Sequence, residues 1–192
     1  NDFNTQWVSR GALKLLHVFD HVNINIENFI CLDIGASTGG FTEVLLSKKI
    51  KKIYCVDVGT NQLHEKLLKN KNVINLPKTN AKYLSNNTIK EKIDLIVCDV
   101  SFISMKKVIS PSLSFLPNKK GIIIALIKPQ FETKKNLKKR GIVFDKNIHE
   151  KICKDYKNWF LKNCKMKSVK IIDSPIKGIK GNKEFFIFAK NY

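Results

Sequence analysis

Residues 29–41, Phe-Ile-Cys-Leu-Asp-Ile-Gly-Ala-Ser-Thr-Gly-Gly-Phe, constrain the fold of this chain more than any other stretch. An apolar run, 29–32, ends in the acid Asp33. Small residues come directly after it, at Gly35, Ala36, Ser37, Gly39 and Gly40, and a helical pattern begins at Phe41. This order predicts a strand, a tight glycine loop and a helix N-terminus. Backbone N–H groups in such a loop can approach a ligand closely, because no side chain stands in the way. A second apolar run, 52–58, carries the acid Asp57, 22 residues beyond Gly35. An acid at the end of the second strand is placed to accept both hydroxyls of a ribose. Together these features predict a nucleoside-cofactor pocket in an α/β domain.

The glycine spacing selects the cofactor. The dinucleotide fingerprint G-x-G-x-x-G needs a second glycine where a pyrophosphate presses on the backbone. Ile34-Gly35-Ala36-Ser37-Thr38-Gly39-Gly40 lacks it. The order acid-x-Gly-x-x-x-Gly instead resembles the S-adenosylmethionine loop of class I methyltransferases. That resemblance assigns the cofactor to Asp33, Gly35, Ala36, Ser37, Thr38, Gly39, Gly40, Phe41 and Asp57, with Asn80 toward the adenine and Asp99 beside it. The cofactor carries a sulfonium and an ammonium and no phosphate, which suits an acid at Asp33. An ordinary strand-to-helix turn would explain the glycines alone, but not the two acids with them.

At 192 residues the chain fits one domain with one substantial core. Its 35 basic and 16 acidic residues give a net charge of +19, which points to a polyanion, nucleic acid before membrane. Only Arg10 and Arg140 are arginines, so a lysine-biased composition competes with that reading. Cys31, Cys55, Cys98, Cys153 and Cys164 form no C-x-x-C pair. Such cysteines suit a reducing cytoplasm and no disulfide framework. His17 and His21 share a helix face without a third ligand, so no metal is expected. No apolar stretch is long enough to span a membrane, and no signal peptide is visible. The chain lacks an initial Met and opens almost directly on a helix, so residues 1–192 read as a fragment of a longer protein.

Periodicity predicts helices over 9–21, 40–48, 62–69, 106–115 and 148–164, with Ser9 as the N-cap of the first. Asn147 and Glu150 are spaced like a capping box for the last. Strands are expected over 29–34, 52–58, 73–76, 93–100, 121–127, 169–173 and 184–189. The alternation implies a mainly parallel seven-stranded sheet with helices on both faces, and the final hairpin turns one edge antiparallel.

In open α/β sheets, ligands bind beyond the carboxyl ends of the strands. Asp99, Lys128, Glu184 and Lys14 map to that rim or near it. A solvated strand terminus explains Lys128 equally well on sequence alone. Ser-Arg-Gly-x-Leu-Lys-Leu, Asp-Ile-Gly-Ala-Ser-Thr-Gly-Gly-Phe-Thr, Asp-Val-Ser-Phe-Ile-Ser, Lys-Pro-Gln-Phe-Glu and Gly-Asn-x-Glu-Phe occur in this order from Ser9 to Phe185. The set resembles the TlyA family, FtsJ-like RNA 2′-O-ribose methyltransferases often labelled haemolysins. The resemblance implies a Rossmann-like class I methyltransferase fold, S-adenosylmethionine as cofactor and ribosomal RNA or ribosomal subunits as partner, with cytidine as the nucleoside. It also implies a catalytic tetrad of Lys14, Asp99, Lys128 and Glu184. Family members carry a small N-terminal RNA-binding domain that this sequence does not include, and Ala12 stands where a second glycine is common.

The tetrad suits the chemistry. A ribose 2′-hydroxyl is a weak nucleophile and must be aligned and relieved of its proton. Lys128 is either a base, helped by Lys14, or a permanent cation facing developing alkoxide. Methylation of a base nitrogen usually goes with Pro-Pro-aromatic after the strand-four acid; here Val100-Ser101-Phe102 follow Asp99. Methylation of pyrimidine carbon-5 needs a thiolate, and Cys98 should point into the sheet. RNA contacts are expected at Arg10 and in the basic stretch Lys134, Lys135, Lys138, Lys139 and Arg140, just after Lys128. Lys48, Lys49, Lys51 and Lys52 should be solvated at the far end, and Phe102 and Phe131 flank the rim, as base platforms or as core. Two competing readings are an RNA-binding domain with little turnover and a membrane-lytic haemolysin. Nothing in the sequence supports the second.

Overall fold

The apolar runs of the sequence become the centre of one sheet. In the computed structural model, which describes residues 6–133 and 141–192, these are β1 (Ile30–Ile34), β2 (Lys52–Val56), β3 (Val73–Leu76), β4 (Leu95–Cys98), β5 (Ile122–Ile127), β6 (Ser168–Asp173) and β7 (Phe185–Lys190). Their order across the sheet is β3-β2-β1-β4-β5-β7-β6. β1 to β5 pair in parallel, and β7 runs antiparallel between β5 and β6. The final hairpin therefore turns this side of the sheet antiparallel by inserting its second strand inward.

Helices α1 (Gly11–His21), α2 (Gly40–Ser47) and α3 (Glu65–Leu68) cover one face, and α4 (Met105–Ser112) and α6 (Lys146–Lys162) the other; α5 (Pro129–Glu132) is a single turn after β5. Coverage on both faces explains why every residue of β4 and β5 is buried. Successive strand residues point to opposite faces. Cys31 packs with α1 and α2, while Leu32 and Ile34 pack with α4 and α6. On α6, Ile152, Tyr156 and Phe160 repeat every four residues and bury one stripe. Each such side chain contributes about 1.5–3 kcal/mol on burial.

Element ends differ from the sequence expectation where side chains or turns intervene. Ser9 is not the cap of α1: Arg10 occupies that position without a side-chain capping bond, and Ser9 instead gives its carbonyl to the Ala12 N–H at 3.1 Å. The cap of α6 is Asp145, whose carboxylate accepts the Asn147 N–H at 2.8 Å, so Asn147 and Glu150 form no capping box. α3 is only one turn, because Asn61 adopts a positive φ of 51° and His64 caps the short helix after it. β4 begins at Leu95; Asp94 turns its carboxylate onto the Ile30 N–H at 2.9 Å. At the far end of the sheet Lys52 is not simply solvated, since it pairs with Glu91 at 2.8 Å.

Candidate active site

The carboxyl ends of β1, β2, β4 and β5 meet the start of β7 at one rim. Register fixes this. Ile34 pairs with Cys98, and Ile127 pairs with Phe185, so Gly35 adjoins Asp99 and Lys128 adjoins Glu184. Gly35 has a φ of +80°, and a Cβ there would lie 2.6 Å from the Asp99 carbonyl oxygen. Only glycine allows the loop to press against the end of β4.

Two clefts of about 440 and 520 Å³ open at this rim and share Gly35, Ser37, Asp99 and Ser101. The first is bounded by Ala36, Thr38, Gly40 and Phe41 and reaches Arg10, Lys14, Lys128 and Glu184. The second contains Asp57 and Asn80. Asp57 accepts the Ser37 N–H and the Gly59 N–H, each at 2.8 Å, one on each carboxylate oxygen. Those bonds fix its orientation and leave further acceptor positions, because a carboxylate has about four. Asn80 gives its Oδ1 to the Lys82 N–H at 3.0 Å.

Two of the loop residues lie elsewhere. Gly39 faces Leu63 and Leu67 and lines neither cleft. Asp33 is fully buried beneath the loop. It shares the α2-facing side of β1 with Cys31, two residues earlier, and accepts the Thr42 hydroxyl at 2.7 Å. Its other oxygen has no hydrogen-bond partner among the described residues. Burial pushes its carboxyl up to about 7 against the Thr42 bond, with Asp99 and Asp57 adding to the rise.

The tetrad forms two ion pairs. Lys128 Nζ stands 2.6 Å from Asp99 Oδ1, and Lys14 Nζ stands 2.6 Å from Glu184 Oε2. Lys14 and Glu184 are buried; the Lys128 and Asp99 side chains are 12% and 22% exposed. Little water screens either pair, and leaving one partner alone would be costly. Lys128 also donates to Ser101 Oγ at 2.9 Å. Ser101 belongs to the sequence motif that includes Asp99, but its hydroxyl carries no signal apart from that motif. A third cleft, of about 300 Å³, adjoins the pairs and is lined by Phe102, Phe131, Gln130, Gly141 and Asn182 along with Lys128 and Glu184. Phe102 is 91% exposed at a φ of +65°, and its ring centroid lies 5.0 Å from that of Phe131. A bulky residue in that conformation is an outlier. Phe102 is therefore an exposed ring at the rim and not core.

Arg10 lies exposed at the mouth of the first cleft. Lys134, Lys135, Lys138, Lys139 and Arg140 lie outside the described residues. Cys98 is buried in the α4 face, and burial pushes its thiol well up, which leaves no thiolate for attack on a pyrimidine. His17 and His21 stack at 4.2 Å between ring centroids. Among the described residues, no helix is long and apolar enough to cross a membrane, and no three His, Cys, Asp or Glu side chains cluster to hold a metal.

Comparison with known proteins converges on one family. The FtsJ-like methyltransferase family matches residues 7–191. Hemolysin A of Brachyspira hyodysenteriae is 43% identical over 184 residues, covering 95% of this chain and 76% of that protein. The 23S rRNA (cytidine-2′-O)-methyltransferase TlyA of Campylobacter jejuni is 40% identical over 190 residues, covering 95% of this chain and 70% of its own. Among solved structures, a hemolysin-named protein of Lactococcus lactis superposes with a TM-score of 0.91 at 34% identity, over 98% of this chain and 90% of its own. The glycine cradle and the oriented Asp57 at the two clefts fit the S-adenosylmethionine that this family uses. The chain belongs to the FtsJ-like methyltransferase family and is an S-adenosylmethionine-dependent methyltransferase.

Proposed function

We propose that the protein transfers a methyl group to the 2′-oxygen of a cytidine in ribosomal RNA, acting on ribosomal subunits or their RNA in the cytoplasm. The observation that carries this reading is the pairing of Lys128 with Asp99 and of Lys14 with Glu184 around one cleft, beside an exposed aromatic ring. The activity named for the Campylobacter relative supplies the nucleoside.

When bound, S-adenosylmethionine supplies an electrophilic methyl group. Gly35, Ala36, Ser37, Thr38, Gly40 and Phe41, which line the first cleft, would hold it, and Asp57 would accept its ribose hydroxyls, with Asn80 toward the adenine. Gly39 shapes the loop by packing, and Asp33 supports it from below. The Lys128 ammonium, fixed by Asp99 and Ser101, points a positive charge at the acceptor oxygen. Fixed charge aimed where negative charge develops is worth about 10²–10³ in rate. Lys14 and Glu184 close the other side of that oxygen, and the 2′ proton leaves through this charged group of four. Phe102, with Phe131 behind it, stacks the base of the acceptor nucleotide. Arg10 and the lysines of 134–140 meet backbone phosphates, which the net charge of +19 favours.

The test is tritiated methyl transfer from S-adenosylmethionine to ribosomal subunits lacking the modification, followed by nucleoside analysis. Label in 2′-O-methylcytidine is expected. Label on a base, or none, overturns the reading.

A further inference from the structure

One buried amide serves neither the cofactor nor the ion pairs. Asn182 is 2% exposed, and both ends of its side chain are committed. Oδ1 accepts the Val143 N–H at 3.0 Å, and Nδ2 donates to the Gly141 carbonyl at 3.1 Å. Its backbone carbonyl accepts the Gly178 N–H at 2.9 Å. Residues 141–143 lie outside the seven strands, with a single bridge residue at Ile142 in place of a ladder. A side-chain amide presents the same donor and acceptor as a peptide group, and here it does a strand's work across 39 to 41 residues of sequence.

The two segments it joins both belong to the acceptor cleft, which Gly141, Asn182 and Glu184 line together. Two residues beyond Asn182, Glu184 follows the turn of residues 178–182 that the Asn182 backbone carbonyl closes. A Cβ at Gly178 would lie 2.0 Å from Glu184 Oε1, so that turn is folded tightly over the carboxylate. A second grip acts on the same strip: His149 Nε2 lies 3.0 Å from the Val143 carbonyl oxygen, and its ring packs edge-on to Phe185 at 5.4 Å.

We propose that Asn182 is a positioning residue that ties the wall of the acceptor cleft at residues 141–143 to the turn packed on the Glu184 carboxylate. This rests on the ribosomal RNA reading. Loss of the amide frees residues 141–143 from that turn while the glycine loop and Asp57, on the opposite side of the sheet centre, keep their contacts. Displacement of a reacting group by about 1 Å costs about 10² in rate.

The experiment compares the wild-type protein with Asn182→Ala, Asn182→Asp and His149→Phe. Each is measured for thermal unfolding, S-adenosylhomocysteine binding, methylation of ribosomal subunits and the salt dependence of their binding. For Asn182→Ala, S-adenosylhomocysteine affinity should stay within about twofold while kcat/KM falls about 10²-fold. Its log–log salt slope should stay unchanged, because no charge has been removed. Asn182→Asp keeps the acceptor for Val143 and should lose less. An unchanged kcat/KM overturns the proposal, as does a loss of S-adenosylhomocysteine binding as large as the loss of methylation. If Asn182→Ala does not fold, His149→Phe, which loosens the same strip, decides on the same two criteria. A wild-type protein that does not methylate ribosomal RNA sinks the functional reading itself, before any variant is compared.

Discussion

Lys128 and Asp99 end neighbouring parallel strands, and their charged atoms meet at 2.6 Å across the mouth of the sheet. The pair is joined to the cofactor loop, because the Asp99 backbone carbonyl is what excludes a side chain at Gly35. The Lys128 ammonium is thus referenced to the same point as the glycine loop.

Lys128→Ala should abolish methyl transfer while leaving fold and cofactor affinity nearly intact. The side chain leaves the strand end toward the cleft, so truncation opens no core cavity. Loss of a positioned proton-transfer or charge-stabilising group costs about 10²–10⁴ in rate. Lys128→Arg should not rescue, because a planar guanidinium cannot reproduce a compact ammonium between Asp99 and Ser101. Tritium incorporation alongside calorimetry of S-adenosylhomocysteine separates the two effects; turnover like wild type in the alanine variant removes Lys128 from the mechanism.

Asp57→Ala should weaken S-adenosylmethionine binding by roughly 1–3 kcal/mol, the scale of lost hydrogen bonds to a charged acceptor. The substitution also releases the Ser37 and Gly59 N–H groups that the carboxylate now holds. Isothermal titration with S-adenosylmethionine and with NAD checks both claims. NAD binding more tightly than S-adenosylmethionine would reverse the cofactor assignment.

Asp33 makes stability depend on pH. Its folded-state value, about 7, lies above the ordinary 3.8, so the protonated form favours the fold. That contribution is complete below the unfolded value and is lost as pH rises to about 7. Asp33→Asn cannot ionise and keeps an acceptor for the Thr42 hydroxyl. Its stability relative to wild type should therefore rise between about pH 4 and pH 7, by roughly 1.4 kcal/mol per pH unit, and level off above. Thermal melts of both proteins across that range provide the check. A constant difference would show that Asp33 does not titrate there.

Replacing Lys134, Lys135, Lys138 and Lys139 with Gln should weaken RNA binding and flatten its salt dependence. Each lost phosphate contact removes about 0.7–0.9 from the log–log slope. Cofactor affinity should hardly change, because the cofactor is held by the glycine loop and by Asp57. Filter binding at several salt concentrations gives the slope; an unchanged value makes the stretch a solvated surface.

Sequence and structure agree where local chemistry is strong. The run of β5 and the acid–glycine order of residues 33–40 announce their own geometry, whereas Lys128 at its strand end reads equally well as a solvated terminus until the fold brings Asp99 to it. Features that depend on pairing between distant segments are hidden from a linear reading. Asp33 resembles a cofactor ligand, but the two-residue period of β1 turns it toward Thr42. Gly39 resembles part of the cradle, but α3 packs against it through Leu67. Asn182 stands inside a family motif with no visible task, because its partners at 141 and 143 are brought to it only by the fold. The exposure of Phe102 likewise depends on a positive φ that no residue preference foretells.

The insertion of β7 between β5 and β6 has a consequence for how the enzyme comes into being. The seventh strand in order of synthesis is an interior one, and β6 touches the rest of the sheet only through it. Glu184 immediately precedes that strand, so Lys14 waits 170 residues of synthesis for its partner. A nascent chain can assemble the cofactor loop early, yet the acceptor side stays open until the hairpin of β6 and β7 zips in. A chain stopped before Glu184 would hold the Lys128–Asp99 pair but leave buried Lys14 without its carboxylate partner.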